Sequence, residues 1–138
     1  MNWKLDERLE TTSVEICNLA LSNIRLVNDS RWPWLLLIPR VPGAIEVHDL
    51  EQADIVQAAV ETSQVAQILK QYTDCRKINT AAIGNMVEQL HIHVVARNTG
   101  DANWPGPIWG YGEPVQYDNP ERDKTLADLA NRFEEFLV

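Results

Sequence analysis

The stretch Gln89-Leu90-His91-Ile92-His93-Val94-Val95-Ala96-Arg97 constrains this chain more than any other. Polar Gln89, His91 and His93 alternate with apolar Leu90, Ile92 and Val94. Successive side chains of a β-strand point to opposite faces, so this spacing predicts a strand carrying three polar groups in a row on one surface. Neighbours in such a row lie roughly 6.5–7 Å apart, close enough for one phosphate or one metal ion to touch two of them. The chain has only three histidines, and two of them are here.

The other segments give such a strand its neighbours. Ser13–Leu21 reads as a first strand whose alternation slips, Ser22-Asn23 as a turn, and Ile24–Asn28 as a better strand. Trp34-Leu35-Leu36-Leu37-Ile38, ending at Pro39, is apolar throughout and fits a central strand buried on both faces. From His48 or Asp49 to about Tyr72 runs the longest helical pattern, with Asp49 as its N-cap. Lys77–Ile83 reads as a strand and Gly84-Asn85 as a turn just before the histidines. Leu5–Thr11 suggests one or two helical turns, and Asn119-Pro120 opens a closing helix with Leu126, Leu129, Phe133 and Phe136 on its apolar side. The expectation is a single α+β domain over residues 1–138: a mainly antiparallel sheet of about five strands, one long helix packed on it, and a C-terminal helix.

Composition limits the partners. A net charge of -8 argues against non-specific binding to nucleic acid or to an anionic membrane, but not against a small phosphorylated ligand in a local pocket of donors. Cys17 and Cys75 lie far apart without ligand-like spacing and read as free thiols of a reducing compartment. No charged-then-apolar leader opens the sequence, and no apolar run approaches the roughly 18 residues of a membrane helix. A cytoplasmic location is the expectation.

From the residues alone, the His91/His93 pair has three readings. The two can sit on a wet face without a role. They can be metal ligands, in which case a third ligand must come from His48, a cysteine or a carboxylate. Or a neutral imidazole can attack phosphorus or a carbonyl and form a covalent intermediate. Periodicity does not choose between the last two.

Gln89-Leu90-His91-Ile92-His93-Val94-Val95 resembles the signature of the histidine triad (HIT) family, His-φ-His-φ-His-φ-φ with φ apolar, with Gln89 in the place of the first histidine. Leu26-Val27-Asn28-Asp29 followed by Trp34–Pro39 is similar to the family's strand, acidic residue and strand ending in Ile-Pro. Asn79, ten residues before Gln89, and the pair Trp104-Pro105 also fit, so the likeness runs from about Asn23 to Pro105. It implies a HIT-like fold, a homodimer, and a nucleotide hydrolase or nucleotidyl transferase acting at the α-phosphate of a nucleoside phosphate ester, amide or anhydride, most simply a purine one. His91 would be the nucleophile, carrying a nucleotidyl group until water releases it. His93 would hydrogen-bond the phosphate, Asp29 the ribose hydroxyls, and Asn79 would sit near the phosphate. No metal or other cofactor is implied.

Two departures stand out. Gln89 cannot carry a proton or a positive charge, although its amide can hold His93 or the phosphate by hydrogen bonds. Pro42 falls where many relatives have a fourth histidine, and His48 does not match that place. Loss of two imidazoles keeps open a nucleotide-binding protein with little or no turnover, and the residues alone keep open a metal-dependent enzyme. Asn85 reads equally as a ligand-facing amide or a turn former, and Arg97 as a solvated strand-end group or a phosphate contact. His48 reads as a surface residue, the acidic helix faces as solvated, and Trp104 and Trp109 as sheet-covering aromatics rather than a pocket lining.

Overall fold

The apolar run Trp34–Pro39 is β3, the middle strand of an antiparallel sheet ordered β1-β2-β3-β5-β4. Its companions are β1 (Ser13–Asn18), β2 (Ser22–Val27), β4 (Lys77–Ala81) and β5 (Ile92–Arg97). The helices are α1 (Glu7–Thr12), α2 (Gln52–Thr73) and α3 (Asn119–Leu137), with one 3-10 turn at Val47–Asp49. The computed structural model describes residues 2–137.

β3 is apolar on both sides because both sides are covered. Leu35 and Leu37 join Ile24, Leu26, Val94 and Ala96 under α2 and α3, which contribute Val65, Ile68, Leu69, Leu129 and Phe133. Leu36 and Ile38 point the other way, against Leu9 and the N-terminal residues Trp3 and Leu5. Fully burying a leucine or isoleucine stabilises by about 1.5–3 kcal/mol relative to exposure, so this strand anchors two cores. Leu36 pairs with His93 across the β3–β5 ladder, which places His93 on the second face, away from the long helices.

Several boundaries differ from the sequence expectation, each for a local reason. The slipping alternation in β1 is a bulge between Glu15 and Cys17. Ser22-Asn23 opens β2 instead of turning, because the carboxylate of Glu61 accepts from the backbone N–H groups of Leu21 (2.9 Å) and Ser22 (2.9 Å) and closes the turn from α2. Glu61 is therefore buried, unlike the solvated acidic faces expected of the helices. Asp49 caps the 3-10 turn, accepting from the N–H groups of Ile45 and Glu46, and Glu51 takes the N-cap position of α2. The motif strand begins only at Ile92, since Leu90 N–H bonds to Ala44 C=O (3.0 Å) and Gln89 turns toward the N-terminus.

Candidate functional site

Strand alternation along β5 sends Ile92, Val94 and Ala96 toward the helices and His93, Val95 and Arg97 toward the other face. His91 precedes the strand yet packs beside His93, with ring centroids 4.9 Å apart. Both imidazoles are 6% exposed. The hydrogen bonds fix their tautomers, because a carbonyl can only accept and an indole N–H can only donate.

The Nδ1–H of His91 donates to the backbone carbonyl of Gln89 (2.7 Å), so in the neutral ring the lone pair lies on Nε2. No described residue hydrogen-bonds that Nε2. In His93, Nε2–H donates to the carbonyl of Ile83 (2.9 Å) and Nδ1 accepts from the Trp34 indole (3.0 Å). Burial pushes the His93 imidazolium down to about 4; nearby His91 acts in the same direction and the Ile83 carbonyl opposes it. His93 is thus a neutral imidazole with both nitrogens already occupied. The resemblance expects it to grip the phosphate; in this structure the His93 ring itself lies between Trp34 and Trp109, with ring centroids 5.7 and 5.4 Å away, and packs beside His91.

Two cavities flank the pair, and Trp34, His91 and His93 line both. The first, about 370 Å³, is closed by Leu9, Val27 and Leu36, with Thr12, Asn28 and Asp29 as polar groups. The second, about 440 Å³, is bounded by Ile83, Asn85, Met86, Val87 and Trp109. Gly84, in the lining of the second, leaves no room for a side chain: a Cβ there would lie 2.7 Å from the Val87 carbonyl oxygen and 3.5 Å from Cε1 of His91.

The remaining candidates divide. Asp29 reaches the first cavity and Asn85 the second. Asp29 is already engaged, accepting from Nε (3.0 Å) and Nη2 (2.8 Å) of Arg31. Burial alone would raise its carboxyl, yet the Arg31 hydrogen bonds hold it below the usual carboxylate value. Asn79 and Arg97 line neither cavity. Arg97 is buried against Trp104, pairs with Asp101 (2.8 Å) and bonds the carbonyl of Gly106 (2.9 Å) and Oδ1 of Asn79 (3.1 Å). That cluster holds the loop after β5, and it lies roughly 13 Å along the strand from His93. Gln89 does not bond His93: its Oε1 accepts from Asp6 N–H (2.8 Å) and its Nε2 donates to Lys4 C=O (2.8 Å). His48 is exposed on the 3-10 turn. Among the described residues no cluster of three or more His, Cys, Asp or Glu is placed to hold a metal ion.

Sequence reasoning missed Trp34, Ile83 and the N-terminal segment. Trp34 passed as one more apolar residue of β3, although a buried indole N–H usually takes a hydrogen-bond partner. Trp109, expected as sheet cover, also lines the second cavity.

Residues 8–100 match the HIT domain family. A histidine triad protein of Bradyrhizobium japonicum is 42% identical over 96% of this chain and 98% of its own, with a TM-score of 0.93. One from Sinorhizobium meliloti is 44% identical over 94% and 96%, with a TM-score of 0.92. One from Marinobacter aquaeolei is 34% identical over 99% of both chains, with a TM-score of 0.95. No curated protein matches the sequence.

Proposed function

The chain belongs to the HIT domain family, and from that premise we propose that it is a nucleotide hydrolase or nucleotidyl transferase acting at the α-phosphate of a nucleoside phosphate ester, amide or anhydride. The observation that carries this reading is the His91 tautomer: Nδ1–H is tied to the Gln89 carbonyl and Nε2 is left with its lone pair between two cavities. Attack by Nε2 on phosphorus breaks the bond to the leaving group, which departs with its electron pair and takes up a proton from solvent. The ring then carries positive charge, and the carbonyl on Nδ1–H strengthens its hydrogen bond as that charge forms. Water next attacks phosphorus, breaks its bond to Nε2 and releases a proton to solvent, restoring neutral His91.

The first cavity suits a nucleoside, with apolar side chains for the base and Thr12, Asn28 and Asp29 as polar groups. The second suits the leaving group, with the Asn85 amide as the side-chain donor for phosphate. Neither lining includes Lys or Arg, which favours a single phosphate joined to an uncharged leaving group over a polyphosphate chain. The saturated nitrogens of His93 weigh against its use as a metal ligand.

A homodimer also belongs to this reading. β4 is an edge strand, and beside it α2 exposes Val56 (57%) and Val60 (45%). The apolar groove between them, lined by Ile55, Ala59 and Ala82, suits a second copy of the chain.

The test is turnover of adenosine and guanosine phosphoramidates, dinucleoside polyphosphates and adenylyl sulfate by wild type and His91→Ala, each with and without EDTA. Acid quenching with mass spectrometry then looks for a nucleotidyl group on the peptide containing His91. We expect the phosphoramidates to turn over, EDTA to have no effect, and His91→Ala to lose on the order of 10⁴-fold or more. Loss of activity with EDTA would establish the metal reading instead. Nucleotide binding without turnover of any substrate would make the chain a binding protein.

A further inference from the structure

Gln89 stands at the first position of the motif, but its carboxamide is bonded far from the histidines in sequence. Oε1 accepts from the N–H of Asp6 and Nε2 donates to the carbonyl of Lys4, both at 2.8 Å. An adjoining strand would take up the same two groups of an extended segment, one residue either side of Leu5. A third bond, from Nη1 of Arg8 to the Met86 carbonyl (2.8 Å), ties the same segments together. Asp6 leads directly into α1, whose Leu9 is 5% exposed and packs on Leu36 and Ile38. Leu9, Thr11 and Thr12 form one wall of the first cavity.

We propose that Gln89 is a positioning residue for nucleotide binding: its side chain anchors residues 4–6 so that α1 forms a fixed wall of the nucleoside cavity. Its backbone carbonyl meanwhile orients His91. One residue therefore couples the placement of the nucleophile to the shape of the pocket. A carboxamide holds its donor and acceptor side by side, as a peptide edge does, whereas the two nitrogens of an imidazole point in diverging directions. Gln89→His therefore does not restore the anchor. This inference rests on the nucleotide reading given above.

The experiment measures two things in wild type, Gln89→Ala and Gln89→His. The first is backbone hydrogen exchange of residues 4–12, which needs no ligand. The second is the dissociation constant for adenosine and guanosine monophosphate by calorimetry. In both variants exchange of residues 4–12 should accelerate and the dissociation constant should rise by about 5- to 10-fold, the scale of one or two lost hydrogen bonds. Where a substrate turns over, the loss should appear in KM more than in kcat, since the carbonyl on His91 survives the truncation. Asp6→Pro deletes the same N–H at a φ of -60° that proline accepts. Asp6→Ala is its control, and adding Gln89→Ala to Asp6→Pro should weaken binding less than it does in wild type. Unchanged exchange in Gln89→Ala overturns the proposal. Faster exchange with unchanged affinity overturns it too, since the segment would then be anchored without shaping the pocket. A wild type that binds neither monophosphate defeats the nucleotide reading and the pocket role with it, while exchange still decides whether Gln89 anchors the segment.

Discussion

The indole N–H of Trp34 points at Nδ1 of His93 across 3.0 Å, and that bond decides what His93 can do. A proton on Nδ1 would set two donors against each other, so the pair holds only while His93 is neutral. Trp34→Phe keeps the ring and removes the donor. In this variant the His93 pKa should rise from about 4 part of the way toward its ordinary 6.5, with burial still opposing the charge. Proton NMR titration of the imidazole reads the shift. A pKa that stays put would mean that burial and the neighbouring His91 keep His93 neutral without the indole.

The same histidine gives the fold a slope against pH. Its folded pKa of about 4 lies below the ordinary 6.5 expected of the unfolded chain. Between those values the unfolded chain binds more protons than the native one, so stability falls as pH drops through this window and is intact above it. The full effect is roughly 3 kcal/mol from the two values. Urea unfolding at several pH values between 7 and 4 should show the loss in wild type and a shallower one in His93→Gln. Equal slopes in the two proteins would place the acid sensitivity elsewhere.

Gly84 should tolerate no side chain. The Cβ of Gly84→Ala would fall 2.7 Å from a backbone oxygen, which cannot swing aside as a side chain can. The loop must shift, and it carries the Ile83 carbonyl that holds His93. We expect a destabilisation of about 1–3 kcal/mol and a fall in turnover larger than any change in KM. Thermal unfolding beside steady-state kinetics checks both, and wild-type values in each would refute the close approach.

How far these features could be read from the sequence depends on what each one rests on. The sheet was legible because period-2 and all-apolar runs are burial patterns, and β3 and β5 bury what those runs require. The HIT resemblance carried the fold as well, and the family match agrees with it. Partners chosen by a distant backbone were not legible. Nothing local in Gln89 announces Lys4 and Asp6, more than eighty residues away, or in Glu61 the turn before β2. Arg97 read as a strand-end cation, solvated or reaching a phosphate, but Asp101 four residues on and the aromatic Trp104 had already claimed it. Sequence spacing locates a polar side chain on a face; it does not say whether its hydrogen bonds are spent.

Asp29 poses that question most sharply. The family resemblance assigns it to the ribose, yet its two oxygens accept from the backbone N–H, Nε and Nη2 of Arg31, and Arg31 in turn bonds the carbonyl of Tyr111. Ser30 and Asn28 hold the same strap through Val115 and Tyr117, and Pro114 and Gln116 of that strap line the first cavity. A carboxylate offers about four acceptor sites, and Arg31 already fills most of them. Asp29→Asn should therefore destabilise first, by about 2–4 kcal/mol for breaking a largely buried pair. It should weaken ribonucleotides and 2′-deoxyribonucleotides alike as the strap loosens. Unfolding curves combined with the ratio of ribo- to deoxyribonucleotide affinity separate the two roles. If wild type prefers the ribonucleotide at least tenfold and Asp29→Asn erases that preference without losing stability, the carboxylate serves the sugar and Arg31 must release it on binding.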